Sequence, residues 1–161
     1  MRHILSVLVE NKPGVLGRVV GLVARRGFNI DSLSVGPTQD ENYSKITAIV
    51  DSDKVAFEQI SKQLNKLIGV YKITKLPYDA AIQRELVLFK IEAPANKRAE
   101  IIEITNIFRG KIVDVGTDSV TVEATGDESK MQAMEDVLID YGIIEIARTG
   151  KIAMARSNSR S

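Results

Sequence analysis

Apolar residues recur on alternate sides of the chain from Arg2 to Val9, with Ile4, Leu5, Val7 and Val9 carrying the pattern, and this predicts a strand. From Val15 to Arg26 the repeat changes to that of a helix. Leu16, Val19, Val20, Leu22 and Val23 form a one-sided stripe, and Gly27 ends it. Asn29 to Val35 is extended, Gly36-Pro37 punctuates, and beyond the polar turn Gln39-Asp40-Glu41-Asn42 the segment Ser44 to Val50 alternates again as a hairpin partner. Asp51 to Asp53 offers a helix start for a stripe of Val55, Phe57, Ile60, Leu64 and Leu67, and Gly69 releases the chain into a strand from Val70 to Leu76. The order is βαββαβ, a ferredoxin-like module over residues 1–77.

Pro77-Tyr78-Asp79-Ala80-Ala81 interrupts the pattern, and after a linker at 78–83 the same order begins again. Arg84 to Glu92 reads as a strand. Asn96 to Phe108 suits a helix with Ile101, Ile104 and Phe108 on one face, followed by Arg109-Gly110, a turn that favours the positive φ of glycine. Lys111 to Val115 and Ser119 to Ala124 make a hairpin about Gly116-Thr117-Asp118. Asp127 to Tyr141 is a fourth helix with Met131, Met134, Leu138 and Tyr141 inward, and Ile143 to Ala147 closes the module. The expected fold is therefore α+β, two ferredoxin-like βαββαβ modules in tandem, the second spanning 84–155. A polar tail at 156–161 is expected to fray.

The loop between the first strand and the first helix, Glu10-Asn11-Lys12-Pro13-Gly14-Val15-Leu16, has the makings of an anion cradle. Pro13 fits the first helical position, Asn11 lies where a side chain caps free backbone donors, and Gly14 lets a ligand approach the main chain. The partial positive charge of a helix start favours a carboxylate there. Pro-Gly is also a common way to begin any helix, so at this stage both readings stand.

Composition narrows the chemistry. With 22 basic and 21 acidic residues the net charge is +1, which gives no long-range attraction to nucleic acid or anionic lipid. RNA-binding members of this fold class need stacking aromatics on the central strands, whereas aromatic content here is 5% and the strands carry Val, Ile and Leu. Cysteine is absent, so the chain has no thiolate nucleophile, disulfide framework or cysteine metal site, and His3 is the single histidine. His3 has no partner motif and reads as an exposed residue on a strand edge. The carboxylates fall on polar helix faces, and neither a dinucleotide nor a triphosphate loop motif occurs. No catalytic and no metal-binding set emerges. Without a membrane span or a signal-peptide shape, the chain is expected in the cytoplasm. Gly17 and Gly21, four apart on a helix that also carries Arg18, Arg25 and Arg26, suit close packing of that helix on the sheet or on a second chain.

Leu5 to Thr38, with the Glu10–Leu16 loop and the run Gly27-Phe28-Asn29-Ile30-Asp31-Ser32-Leu33-Ser34-Val35-Gly36-Pro37-Thr38, resembles the ACT domain of acetolactate (acetohydroxyacid) synthase small subunits. Phe108-Arg109-Gly110-Lys111-Ile112-Val113-Asp114-Val115 and Ala147-Arg148-Thr149-Gly150-Lys151-Ile152-Ala153 resemble the C-terminal domain of the same family. The resemblance implies a non-catalytic regulatory subunit of a large catalytic subunit, which uses thiamine diphosphate, Mg²⁺ and FAD to join pyruvate to pyruvate or 2-oxobutyrate in branched-chain amino-acid synthesis. It implies activation of that partner and feedback inhibition, usually by valine. In the family the ligand sits between two ACT domains, so the resemblance assigns Asn11, Gly14, Val15 and Leu16 of one chain and Asn29 and Ile30 of another to the effector site. Helix-start amides suit a carboxylate, an Asn carbonyl accepts from an ammonium group, and Leu16 with Ile30 encloses a branched side chain. Taken by itself, Asn29 reads as a turn residue tolerating left-handed φ after Gly27. An open edge strand and a shared ligand site together predict a homodimer. A stand-alone amino-acid-sensing ACT protein acting on another target is the alternative.

Overall fold

Strand β1 (Arg2–Glu10) is flanked by β3 (Tyr43–Asp51) on one side and β4 (Val70–Leu76) on the other, both antiparallel to it, and this central place explains its burial on both faces. The structure is a computed structural model and describes residues 1–157. Leu5, Val7 and Val9 point to one face and pack with Val15, Val19 and Val23 of α1 (Val15–Arg25) and with Phe57, Ile60 and Leu64 of α2 (Lys54–Leu64). β2 (Asn29–Pro37) pairs outside β3, so the sheet order is β2-β3-β1-β4. Ile4 points to the opposite face, where it clusters with Ile49, Leu76, Ala81 and Ala153.

The second module repeats the plan with β5 (Ile82–Glu92), α3 (Arg98–Ile107), β6 (Lys111–Val115), β7 (Ser119–Gly126), α4 (Glu128–Leu138) and β8 (Ile143–Arg148), in sheet order β6-β7-β5-β8. Val87, Phe89 and Ile91 of β5 are buried with Ile101, Val122, Met131, Met134 and Leu138. The tandem α+β architecture expected from the sequence is the one observed. No helix among the described residues is long and apolar enough to cross a membrane.

Several local expectations need correction. Val55 is 69% exposed and α2 stops at Leu64, while Asp53, within the expected start at Asp51 to Asp53, caps the helix by accepting the Ala56 N–H at 2.7 Å. Leu67 still packs on the core from beyond the helix end. Gly36-Pro37 does not interrupt β2, which carries both residues at the edge of the sheet, where a missing N–H is tolerated. His3 is not on an edge strand. Its ring stacks on Phe57 at 4.1 Å, and Nε2 lies 3.1 Å from the Ser52 carbonyl oxygen, which accepts from it. The fourth helix ends at Leu138, and Ile139–Tyr141 continues as a tighter 3₁₀ turn.

The chain divides into two compact units, Met1–Ile82 with Lys151 onward, and Gln83–Gly150. The second compact unit thus closes at Gly150, inside the module expected over 84–155. Beyond it β9 (Ile152–Met154), which pairs with β5, brings Ala153 into the cluster around Ile4, because that outer sheet face is apolar and otherwise uncovered at this end. Within the expected linker at 78–83, Ala81 is buried and Tyr78 rests on the same cluster. Of the expected tail, residues 158–161 lie outside the described residues, while Arg156 donates through Nε to the Ala80 carbonyl at 2.9 Å.

The Arg109-Gly110 turn reverses the expected assignment. Arg109 takes the positive φ, 56°, and its N–H donates to the Asn106 carbonyl while Gly110 N–H donates to Thr105, closing α3 in a Schellman arrangement. Glycine is required at 110 for space, since a Cβ there would lie 2.9 Å from the Glu123 carbonyl oxygen. A left-handed non-glycine residue costs about 1–2 kcal/mol. Arg109→Gly is accordingly expected to stabilise the second unit by about 1 kcal/mol after the entropy of glycine is subtracted, measured by urea denaturation. A loss of stability would show that the Arg109 side chain contributes more than its backbone costs.

Three surface groups titrate away from their ordinary ranges. The N-terminal ammonium, donating to Asp51 Oδ1 at 2.8 Å, holds that carboxyl low, and Lys75 does the same to Glu58. Tyr141 donates to Glu100 at 2.9 Å, and this bond pushes the phenol up.

Candidate effector loop

Helix α1 begins at Val15, and the residue that turns the chain into it is Gly14, at φ 87°. Pro13 therefore lies before the helix and not at its first position, because its ring fixes φ near −65° and cannot make the left-handed turn. Asn11 does not cap the helix either. Its amide N–H donates to the Asn42 carbonyl at 2.8 Å and its Nδ2 to the Glu41 carbonyl at 3.2 Å, so the side chain ties this loop to the β2–β3 turn.

The helix start is consequently left without a side-chain cap. Arg18 N–H returns to the Gly14 carbonyl at 3.1 Å and Val15 N–H reaches Lys12 only at 3.5 Å, while the amides of Leu16 and Gly17 find no backbone acceptor among the described residues. The first turn contains no acidic residue, so no side chain of that turn offsets the positive end of the helix dipole. A Cβ on Gly14 would meet nothing within 4 Å, which leaves open space directly over these donors. The Gly17 amide belongs to this set. Sequence reading treats Gly17 only as a packing residue, although its position in the first helical turn carries the signal.

Side chains of the six assigned residues divide sharply. Asn11 and Gly14 are exposed, and Leu16 is 39% exposed beside them. Val15 is 2% exposed and belongs to the core, so its side chain faces away from any ligand over the loop. Asn29 is in the extended run of β2 and has no left-handed φ, which removes the turn reading. Its Nδ2 donates to Asp31 Oδ1 at 2.7 Å, and on this exposed residue the amide carbonyl is left to accept from another group. Ile30 is half-buried against the core.

Within one chain the two groups do not meet. Asn29 and Arg2 both pair with Asp51, whereas Asn11 follows Glu10 at the far end of β1. Eight steps of about 3.3 Å separate these ends, roughly 26 Å. Asn11, Gly14 and Leu16 thus form one half-site and Asn29 with Ile30 another. Among the described residues a Cβ at Gly17 or Gly21 would meet nothing within 4 Å, so the pair does not pack closely on the sheet, one of the two packings expected for it.

Two ferredoxin-like modules in tandem, the first with an uncapped helix start beside an exposed glycine turn, define the class of fold and its candidate site. Residues 5–72 match the family described as AHAS small subunit-like ACT domain, and residues 84–157 match the small subunit of acetolactate synthase. The chain is 52% identical over 160 residues to the probable acetolactate synthase small subunit of Archaeoglobus fulgidus, covering 99% of this chain and 100% of that one. It is 52% identical over 154 residues to the acetolactate synthase small subunit of Mycolicibacterium smegmatis, covering 96% and 91%. The crystal structure of the small subunit from Thermotoga maritima superposes with a TM-score of 0.90 at 41% identity, covering 99% of each chain. The chain belongs to the family of acetolactate synthase small subunits.

Proposed function

We propose that this chain activates a large catalytic subunit, the component that carries thiamine diphosphate, Mg²⁺ and FAD, and confers on it feedback inhibition by a branched-chain amino acid, with valine the first effector to test. The observation that carries this reading is the uncapped start of α1, where the Leu16 and Gly17 amides stand unpaired under open space at Gly14. The separation of that half-site from Asn29 and Ile30 supports a ligand held between two copies of the chain, and so a homodimer. The exposed Leu16 edge and the glycine pair on α1 offer a surface for the second copy. A stand-alone sensor is less well supported, because the match to the small-subunit family runs through the second module, 84–157.

Reconstitution tests the reading. The purified chain is expected to form no acetolactate from pyruvate on its own, to raise turnover when added to the large catalytic subunit, and to make that turnover valine-sensitive. Sedimentation of the chain at micromolar concentration should show a dimer. Turnover by the isolated chain, or no response of the catalytic subunit to it, would overturn the assignment.

A further inference from the structure

The first sheet has a second functional-looking face, the one turned away from α1 and α2. There β1 presents Ile4, Ser6 and Leu8, the alternate set to the core residues Leu5, Val7 and Val9. Register places Leu8 between Lys45 of β3 and Lys72 of β4, and Ser6 between Thr47 and Thr74. The two lysines are thus two strand spacings apart, about 10 Å, a span over which two long flexible stems converge on one small group. Ser6, Leu8, Lys45, Lys72 and Thr74 line a hollow of about 810 Å³, within the range of small-molecule sites.

One wall of the hollow comes from the segment after β9. Lys151 N–H donates to Ser32 Oγ at 2.7 Å, Ala153 is buried at 5% exposure, and Arg156 donates to Ala80, so this segment is fixed on both sides of Met154 and Ala155, which line the hollow. The opposite wall is Thr38, Asp40 and Tyr43 of the β2–β3 turn. Asp40 Oδ1 accepts from the Asn42 backbone and side-chain nitrogens at 3.0 Å, which turns its charge toward that turn.

Lys45 and Lys72 form no ion pair among the described residues, which leaves the hollow with two ammonium groups against the one carboxylate of Asp40. The Ser6 hydroxyl, on a residue only 4% exposed, lines it with no side-chain hydrogen-bond partner among the described residues. Its oxygen opens onto the hollow rather than being sealed in the core, so it is free to donate to an oxygen of a bound molecule. Leu8, Leu76 and Met154 supply an apolar surface beside these polar groups.

We propose that this hollow binds a short aliphatic carboxylic acid that carries an oxygen function beside its carboxyl group, a 2-oxo or 2-hydroxy acid. Lys45 and Lys72 take the carboxylate, Ser6 donates to the neighbouring oxygen, and Leu8, Leu76 and Met154 cover the aliphatic part. An amino acid is disfavoured, because its ammonium group would sit beside two others. The site is therefore distinct in place and in charge preference from the loop at Asn11 to Leu16.

The test uses the ¹⁵N-labelled full chain, titrated separately with 3-methyl-2-oxobutanoate, 2-hydroxy-3-methylbutanoate, 3-methylbutanoate, valine and inorganic phosphate. Either of the first two is expected to shift the amides of Ser6, Leu8, Lys45 and Lys72, and their relative affinity separates the oxo from the hydroxy acid. Loss of one hydrogen bond to a charged or polarised partner predicts that 3-methylbutanoate binds about tenfold more weakly. Lys45→Gln with Lys72→Gln should weaken binding by about tenfold or more, and Ser6→Ala should erase the advantage over 3-methylbutanoate. Lys72→Gln alone, at an exposed position, provides the charge test should the double variant fold poorly. Gly14→Asp should leave oxo-acid binding unchanged, so failure here and failure of the effector reading are distinguishable. The proposal falls if phosphate binds as tightly as the oxo acid, if the lysine variants bind unchanged, or if the oxo-acid shifts map to Asn11–Leu16.

Discussion

Gly14→Asp is expected to abolish feedback inhibition in the reconstituted complex while leaving activation of the catalytic subunit largely intact. Gly14 sits at φ 87°, and a side chain there meets no neighbour within 4 Å, so the substitution fills empty space and not the core. Aspartate is among the residues that best tolerate left-handed φ, so the backbone strain costs about 1–2 kcal/mol. Its carboxylate would then occupy the positive end of α1 and compete with the carboxylate of the ligand for the Leu16 and Gly17 amides. Charge-assisted hydrogen bonds contribute roughly 1.5–3 kcal/mol each, so losing two weakens binding by at least about a hundredfold. Asn29→Ala removes one acceptor and should weaken binding about tenfold, the milder of the two. Gly14→Ala separates strain from charge, because it adds a Cβ at the same φ without the carboxylate. Acetolactate production across a valine series provides the measurement, and unchanged half-inhibition in both Gly14→Asp and Asn29→Ala would remove the effector from this loop.

Phe89→Ala should produce the largest change in stability, about 3–5 kcal/mol. Phe89 is 1% exposed on the central strand of the second sheet, with Val122 opposite it on β7 and Ile146 on β8. Truncating it leaves a void between that sheet and the two helices, which a close-packed core does not collapse to fill. A loss of this size is a large share of the roughly 5–15 kcal/mol that holds an ordinary domain. The first unit has its own core around Leu5, Val7, Ile46 and Leu64, so hydrogen exchange should show amides of β5, β7 and β8 losing protection by more than about a hundredfold while those of β1 and β3 change little. Equal loss in both units would show that they unfold as one.

The order and type of the main elements were readable because each buries one side. Period-two runs such as Ser119–Gly126, where Val120, Val122 and Ala124 are buried, and the Met131, Met134, Leu138 stripe, face a core whatever the rest of the chain does. Boundaries were readable only where a local group enforces them. Asp53 caps α2 through its own side chain and Gly27, at φ 76°, ends the first helix, and both signals stand in the sequence. Asn11 gave the wrong signal, since its side chain has two ways to satisfy itself and the carbonyl it takes belongs to Glu41, thirty positions away. Val55 likewise fits the helical spacing of α2, but it falls outside the arc that the sheet covers.

What the amino-acid sequence determined by itself is therefore the two βαββαβ modules, the family to which they belong, and the loop at the start of α1, because periodicity and short motifs are local properties of the chain. Only the tertiary structure decided where distant segments meet. It took Ala153 from the second module into the outer cluster of the first, gave Gly110 its reason in the Glu123 carbonyl, and set Asn29 a strand's length from Asn11. Each of these depends on a contact between residues far apart in sequence, where burial and strand register choose the partner and no local preference records the choice.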